Sequence, residues 1–377
     1  MKNKNVILLF IRIMLFVLFV FAFLVSCSET DTSPSPREPQ DNKEHNKEQT
    51  QADTQVPSDT DETSAEKDYI LFTLNYNDWT FPDKSIAALE KVIEIHEKYN
   101  VPVDIYISDP TFQNLMTMAP DVVEKLKTSS VVAVSYHIRP PMPAYKNFDF
   151  LGLEEMSDQE RYETLLSYEE HKLDLETGMP ILDKPGGYQY LKEIIGYAPI
   201  TVGIQGVGLI ATTMKKIYAE KGATFMVKHT GDLDSDSATT KNFKLGEKDG
   251  ALFIRPEDIA FKWYEYANMY GTDEKAAGKV IEDAILAEDQ KDTSLFINIK
   301  MHENNFFSEG NAAMWDVYGK DHKPPFDLSA AYEHAFMTDQ EIEDQWIFYE
   351  SAVAYVAHHP EQYTAINSFD LKEMIEI

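Results

Sequence analysis

The sequence has little cysteine, few basic residues and no glycine motif of the kind that binds phosphate. Its one cysteine, Cys27, ends an amino-terminal apolar segment, so disulfides, cysteine-ligated zinc and iron–sulfur clusters are excluded. Lys and Arg number 34 against 64 Asp and Glu, which gives a formal net charge of −30. That charge repels nucleic-acid phosphates, so we expect no DNA or RNA partner. No P-loop, dinucleotide fingerprint or serine nucleophile elbow is present.

The first 27 residues have the layout of a bacterial lipoprotein signal peptide. Basic residues open the segment, an apolar stretch follows, and residues 24–27 (LVSC) resemble a lipobox in which Cys27 becomes lipidated. The alternative is an uncleaved anchor helix, because residues 6–25 could nearly span a bilayer if Arg12 extended its charge to the surface. Both interpretations predict an extracytoplasmic protein that is held at a bacterial membrane.

Residues 28–67 are mostly Ser, Thr, Asp, Glu, Gln, Pro and Lys. Such a composition cannot offset the entropy cost of ordering, so the sequence predicts a disordered linker. Residues 68–377 are predicted to form a single domain. There, strand-like apolar runs alternate with helical patterns, which predicts an α/β fold with a parallel sheet, either a closed barrel or an open doubly wound sheet.

The predicted elements have the following bounds. Strands are predicted at residues 69–74, 102–108, 130–136, 200–204, 224–227, 251–254, 294–300 and 364–368. Helices are predicted at residues 82–99, 120–128, 158–175, 188–195, 210–221, 274–288 and 339–358.

Polar residues follow three of the predicted strands at the point where each strand ends. The stretch TLNYNDW, residues 73–79, ends the first strand and contains Asp78, while His137 and His302 end two later strands. Ligands collect at the carboxyl ends of parallel strands. Two imidazoles and a carboxylate are the usual protein contribution to a hydrolytic Zn²⁺ site. The alternatives are a polar rim that binds sugar, or, for the Asn and Asp residues of the first strand end, a simple turn.

Two other features bear on this site. Residues 139–153 and 306–337 follow strands that end in a candidate histidine, and both segments are rich in aromatic residues. These aromatics either form a platform for sugar rings or pack over the barrel rim. Arg255 and Glu257 follow a further strand, where they could orient a catalytic group or form a structural ion pair.

The chain resembles the polysaccharide deacetylase (NodB-like) family of the glycoside hydrolase/deacetylase superfamily. The resemblance rests on the order of elements, on ALEKVIEIHEKYNVPVDIYI at residues 88–107, and on PEQYTAINSFDLKEMI at residues 360–375. It implies a distorted (β/α)7 barrel. It also implies that a divalent metal assists the hydrolysis of N-acetyl or O-acetyl groups on a sugar polymer.

The family's first motif is Thr-Phe-Asp-Asp-Gly, whose first Asp is the base and whose second Asp binds the metal. An ungapped overlay on Thr73 places Asn75 at the base position and Tyr76 at the metal position. A shift of two residues places Asn77 and Asp78 there instead, which leaves an amide where the family has its base.

The second motif of the family is His-Ser/Thr-x-x-His. His137 matches its first histidine, and Pro141 stands at the second. His302 matches the late histidine that assists the leaving group in that family.

The sequence and the resemblance together predict a carbohydrate-active hydrolase, tethered through a lipid on Cys27. Asp78 and His137 would hold a divalent metal such as Zn²⁺, and His302 would act as the general acid. The predicted supporting residues are Asn77, Arg139 and Glu257. The alternative is a catalytically inactive barrel that binds a glycan without cleaving it.

Overall fold

The computed structural model describes residues 67–204, 206, 208–227, 235–240, 243–248, 251–255, 257–259, 263–289 and 296–374. The predicted signal peptide with Cys27, and the predicted linker up to residue 66, lie outside these ranges. No helix within them is both long enough and apolar enough to cross a membrane.

Strands and helices alternate along most of the described chain. The strands β1 to β13 are Asp68–Tyr76, Val103–Ile107, Val132–His137, His171–Leu173, Pro180–Pro185, Thr201–Gly203, Phe225–Val227, Ser235–Thr240, Phe243–Lys248, Ala251–Arg255, Glu257–Ile259, Phe296–His302 and Tyr363–Ile366. The helices α1 to α11 are Pro82–Tyr99, Asp109–Met118, Pro120–Thr128, Asp158–Tyr168, Gly187–Ile195, Gly208–Lys221, Trp263–Tyr270, Glu274–Asp289, Met314–Tyr318, Asp339–His358 and Ser368–Met374. Three 3₁₀ helices are Leu153–Glu155, Glu303–Phe306 and Leu328–Glu333.

Seven strands form a curled parallel sheet, in the order β12-β1-β2-β3-β6-β7-β10. On one edge of β1, β13 pairs with its first residues and β2 with its last. One residue separates the strand β11 from β10, and β11 pairs in parallel with β12, which brings the end of the sheet back toward its start. An antiparallel hairpin of β8 and β9 extends from β10. The predicted α/β class with a distorted-barrel sheet is confirmed.

The two faces of β1 differ in the residues that they present. Ile70, Phe72 and Leu74 pack into the main hydrophobic core, whereas Leu71 belongs to a separate small cluster. Side chains alternate between faces of a strand, so Thr73 and Asn75 share the inner face with Leu71. That face is therefore apolar at the start of the strand and polar at its carboxyl end.

Helices α1 and α10 cover the outer face of the sheet beside β1. Pro82 lies in the first turn of α1, and Asn100 ends the helix in the left-handed conformation, at φ 53°. Between the two helices, His96 Nε2 lies 2.8 Å from the Tyr349 hydroxyl and Nδ1 lies 2.9 Å from the Val101 carbonyl oxygen. Complete burial lowers the pKa of His96 to about 4, which makes this histidine a neutral core residue.

One predicted helix is wrong in its extent. The helix expected at residues 158–175 ends at Tyr168, and His171–Leu173 form β4, which pairs with β5. Glu169 ends the helix with its side chain buried, and its carboxylate accepts hydrogen bonds from the Tyr188 backbone N–H and the Tyr218 hydroxyl. Such contacts depend on residues far along the chain, so local periodicity does not reveal the end of this helix.

Candidate functional site

The end of β1 lies between the ends of two other strands, as the strand-end prediction requires. Asn75 is the register partner of His302 on β12 and of Tyr106 on β2. Asn75 Nδ2 lies 3.3 Å from His302 Nε2, so the amide donates to that ring nitrogen. The predicted general acid His302 is thus paired with Asn75 rather than with Asp78.

Glu303 links the end of β12 to the residues that follow β1. It follows β12 directly and is completely buried. Its Oε1 accepts hydrogen bonds from the backbone N–H of Asn77, at 2.6 Å, and from that of Asp78, while its Oε2 is buried without a hydrogen-bond partner. Burial, and then the negative charge of Asp78, raises the pKa of Glu303 to about 8. The carboxyl group is therefore largely protonated at neutral pH.

Asp78, the predicted metal ligand, holds two loop segments together. Its Oδ1 accepts from the backbone N–H of Thr80, at 3.1 Å, and from the Thr80 hydroxyl. Its Oδ2 accepts from the backbone N–H of Ala313 at 2.9 Å. Burial raises the pKa of Asp78, although these hydrogen bonds oppose the shift. The carboxylate is thus engaged in fixing the loops that follow β1 and β12.

Asn77 and Arg139, both predicted as supporting residues, contact each other. With the amide oriented to satisfy both groups, Asn77 Oδ1 accepts from Arg139 Nε at 3.0 Å and from Nη2 at 3.1 Å. Arg139 Nη1 donates to the Tyr145 hydroxyl at 3.1 Å, and the guanidinium carbon lies 5.7 Å from the centre of the Tyr145 ring. Burial lowers the pKa of Arg139, but an arginine remains charged in proteins.

His137 lies against Gly203 on the neighbouring strand β6. Its Nδ1 donates to the carbonyl oxygen of Ile138 at 2.7 Å, which fixes the tautomer of a neutral ring. A Cβ atom at Gly203 would come within 2.9 Å of His137 Cδ2, so glycine is needed for this close approach. The ring also packs edge-on against Tyr106, with 6.3 Å between ring centres. His137 is therefore fixed on the inner face of the sheet.

Comparisons with solved structures find proteins of similar architecture at low identity. A 4-alpha-glucanotransferase from Thermococcus litoralis is 13% identical, over 82% of this chain and 40% of that one, with a TM-score of 0.43. Proteins named as polysaccharide deacetylases from Mycobacterium smegmatis and Pseudomonas aeruginosa PAO1 are 10% and 11% identical, with TM-scores of 0.41 and 0.42. They cover 82% and 81% of this chain, and 91% and 90% of their own.

The chain is similar in structure to polysaccharide deacetylases. That is the family which the sequence resembles. The chain spans less than half of the glucanotransferase chain that it matches. No family model matches the sequence, and a search of curated proteins finds no significant match.

The side chains at the strand ends do not fit the divalent metal that the resemblance implies. The described residues contain no group of three or more His, Cys, Asp or Glu side chains that could hold a metal ion. Both oxygens of Asp78 accept hydrogen bonds from loop residues, and His302 Nε2 accepts from Asn75. A metal at Asp78 and His137 stays a prediction that these contacts do not support.

The aromatic residues of the two long loops pack mainly on one another. Trp79 Nε1 donates to the Tyr318 hydroxyl at 3.1 Å, and that hydroxyl donates to the Pro140 carbonyl oxygen at 2.7 Å. Phe148 stacks on His322 with 4.3 Å between ring centres. Trp79, Phe148 and Tyr318 are buried, so packing over the rim accounts for most of these aromatics. Of the aromatics in these two loops, Tyr145, Phe150 and Trp315 combine a place in this cluster with partial exposure.

Sequence reasoning assigned no role to Glu303 or Tyr145, which complete the contacts around Asn77 and Arg139. The only local signal for Glu303 is an acid that directly follows a strand-end histidine. Its contact with Asn77 spans 226 residues and has no signature in spacing. Glu257 begins β11, but its side chain lies outside the described residues, so its predicted role stays untested.

Proposed function

We propose that this chain binds a carbohydrate at the carboxyl ends of its parallel strands and does not hydrolyse it by the metal-assisted route. The contact between Asn77 and Arg139 carries this proposal. A general base must accept a proton during the reaction, and the amide of Asn77 stays neutral and accepts hydrogen bonds instead. The residue at the expected base position is therefore suited to binding rather than to proton transfer.

The groups around this contact suit a sugar ligand. Asn75, Tyr106 and His302 supply amide, phenol and imidazole groups in register at the strand ends, and such groups hydrogen-bond to hydroxyls. Tyr145 lies beside Arg139, and its ring centre is 5.8 Å from that of Trp315. Partly exposed aromatic faces pack well against sugar rings. Specific polar groups beside an aromatic surface are typical of small-ligand sites.

A binding screen combined with an activity assay tests the proposal. The full chain in detergent is applied to an array of oligosaccharides, and acetate release from acetylated oligosaccharides is measured in parallel. We expect binding without acetate release, and weaker binding for Asn75→Ala. Steady acetate release by the wild-type chain, abolished by His137→Ala, would refute the binding-only function.

A metal-assisted deacetylase is the second candidate, because His137 Nδ1 donates to a backbone carbonyl. Histidines that ligate a metal usually donate their other ring N–H in this way. Metal analysis of the purified chain separates the two functions. One equivalent of zinc that is lost in both His137→Ala and Asp78→Ala would favour the deacetylase, whereas a metal-free chain that binds glycan would exclude it.

We further propose that lipid on Cys27 holds the chain outside the cytoplasm. The support is the sequence LVSC at the end of an apolar segment. Labelling of cells with a tagged fatty acid tests this directly. Label in the wild-type chain but not in Cys27→Ala is expected, and equal label in both chains would contradict the anchor.

A further inference from the structure

Arg139 is a buried cation whose hydrogen-bond partners are all neutral. Its side chain is 8% exposed, and its partners are the Asn77 amide oxygen and the Tyr145 hydroxyl. No carboxylate in the described part of the chain forms an ion pair with it. Burial of a charge is costly unless an opposite charge or strong hydrogen bonds compensate it. Arg139 therefore differs from an ordinary structural arginine.

The guanidinium group retains donors for a further partner. It has five N–H groups, of which Nε, one on Nη2 and one on Nη1 donate to Asn77 and Tyr145. One N–H on each terminal nitrogen is left over. A planar anion such as a carboxylate accepts two parallel hydrogen bonds from an arginine. The fixed orientation that Asn77 and Tyr145 impose reduces the entropy cost of such binding.

Two acidic side chains of this region, Glu303 and Asp78, make their hydrogen bonds to groups other than Arg139. Glu303 interacts with Arg139 electrostatically, but its Oε1 accepts hydrogen bonds from the backbone N–H groups of Asn77 and Asp78 and not from the guanidinium group. Asp78 receives hydrogen bonds from Thr80 and Ala313. The guanidinium group of Arg139 thus has no carboxylate acceptor among the described residues, within a chain of net charge −30. Solvent screens long-range repulsion but acts little on a buried contact, so the local charge governs recognition.

We infer that Arg139 binds a carboxylate of the ligand, and that the ligand is a glycan containing uronic acid. This inference rests on the proposed carbohydrate-binding function and narrows its substrate class. Asn77 orients the guanidinium through Nε and Nη2, and Tyr145 does so through Nη1. The two remaining N–H groups donate to the carboxylate, while Tyr145 and Trp315 contact the sugar ring.

The test uses the full chain and a matched pair of ligands, trigalacturonate and its methyl ester. The two share the same sugars and differ in the charge of the carboxyl groups. Isothermal titration at pH 7 should give an affinity for the acid at least about tenfold higher, as expected for a charge-assisted hydrogen bond. A preference below about twofold would overturn the inference.

Two variants assign the preference to Arg139. Arg139→Gln removes the charge, and Asn77→Asp keeps the arginine but places a carboxylate against it. Both should reduce the preference for the acid to less than about twofold. Asn77→Asp does so while the arginine is kept, since the new ion pair replaces an existing hydrogen bond. A full preference that persists in Asn77→Asp would contradict the role of Arg139.

The control is Lys146→Met, which removes a positive charge from the exposed part of the same loop and should leave the preference unchanged. A screen of neutral and uronate-containing oligosaccharides separates the two proposals. Binding of neutral glycans alone would overturn the uronate assignment and leave the carbohydrate-binding function standing. Binding of no glycan would overturn both.

Discussion

Two arginines are buried among the residues that the structure describes, and their surroundings differ in one respect. Arg161 is 2% exposed; its Nη2 pairs with the Asp158 carboxylate, and its Nη1 donates to the carbonyl oxygens of Leu153 and Met156. Arg139 contacts two neutral side chains at the carboxyl ends of the strands. The charge of Arg161 is compensated within its own helix and loop, which marks a structural role. Arg139 has no carboxylate as a hydrogen-bond partner, which agrees with the ligand-binding role that we propose for it.

The largest expected effect is a dependence of the free energy of unfolding on pH. It involves Glu303, the acid that interacts electrostatically with Arg139, and two other buried acids. Burial raises the pKa of Glu303 to about 8, and those of Glu169 and Asp104 to about 7. Each folded-state pKa exceeds the unfolded one, so the folded state binds more protons between about pH 4 and 8. The stabilisation is complete below that range and is lost as the pH rises through it.

Urea unfolding between pH 4 and 9 measures this dependence. The free energy of unfolding should fall by up to about 1.4 kcal/mol per pH unit for each such group. Glu303→Gln keeps an acceptor for the Asn77 and Asp78 N–H groups and should flatten the curve at its upper end. Stability that rises from pH 5 to 8 would show that these carboxyl groups are ionised in the folded state.

The next largest effect is expected at Arg161. Arg161→Leu leaves the carbonyl oxygens of Leu153 and Met156 without their donor, so the free energy of unfolding should fall by about 2–4 kcal/mol. Most of this loss comes from the carbonyls, because Asp158 is exposed and its ion pair is worth little. Chemical denaturation measures the change, and glycan affinity of the folded variant is the control, which should not move.

Arg139→Gln should cost less than about 1 kcal/mol of stability. The substitution removes a charge that has no ion-pair partner, and the amide of the introduced glutamine can still form hydrogen bonds with neutral groups. The same denaturation experiment that is used for Arg161 gives the comparison. If both arginine variants were equally destabilised, Arg139 would be structural, and the distinction between the two sites would fail.

The smallest effect comes from one neutral hydroxyl at each site. Tyr145→Phe removes the partner of Arg139 Nη1, and Thr213→Val removes the partner of Arg161 Nε. Each should cost about 1 kcal/mol or less. Only Tyr145→Phe should weaken binding of trigalacturonate, by about threefold, because only that hydroxyl orients a ligand-binding group. Equal affinity changes in both variants would remove this difference between the sites.

Much of the fold follows from local patterns. Helix α10 has the bounds that its periodicity predicts, Asp339–His358, because Thr338 and Glu341 form a capping box that fixes its start. The strands β1, β2 and β3 lie where the apolar runs place them. The hairpin of β8 and β9 is absent from the prediction, since its segments SDSATT and FKLGEK are polar. The strand β9 pairs with β10, and β8 pairs with β9, so their strand conformation depends on pairing.

The candidate site also has features that the sequence predicts and features that it does not. The positions of Asp78, His137 and His302 at strand ends could be predicted, because the length of each apolar run fixes where a strand stops. Their partners could not, and the metal triad that they suggest is not supported by their contacts. Asp78 accepts a hydrogen bond from Ala313, which lies 235 residues away in the chain and becomes its neighbour only when two loops pack together.

By itself, the sequence determined that this chain forms an α/β fold whose strands end in polar residues, because apolar periodicity and run length are local properties. Tertiary structure alone decided that Asn75 contacts His302, that Asn77 contacts Arg139, and that Glu303 accepts a hydrogen bond from the backbone N–H of Asn77. Those contacts follow from the parallel register of strands that lie far apart in the chain. The same register buries Arg139 without an anion, and no pattern of residues along the sequence records that.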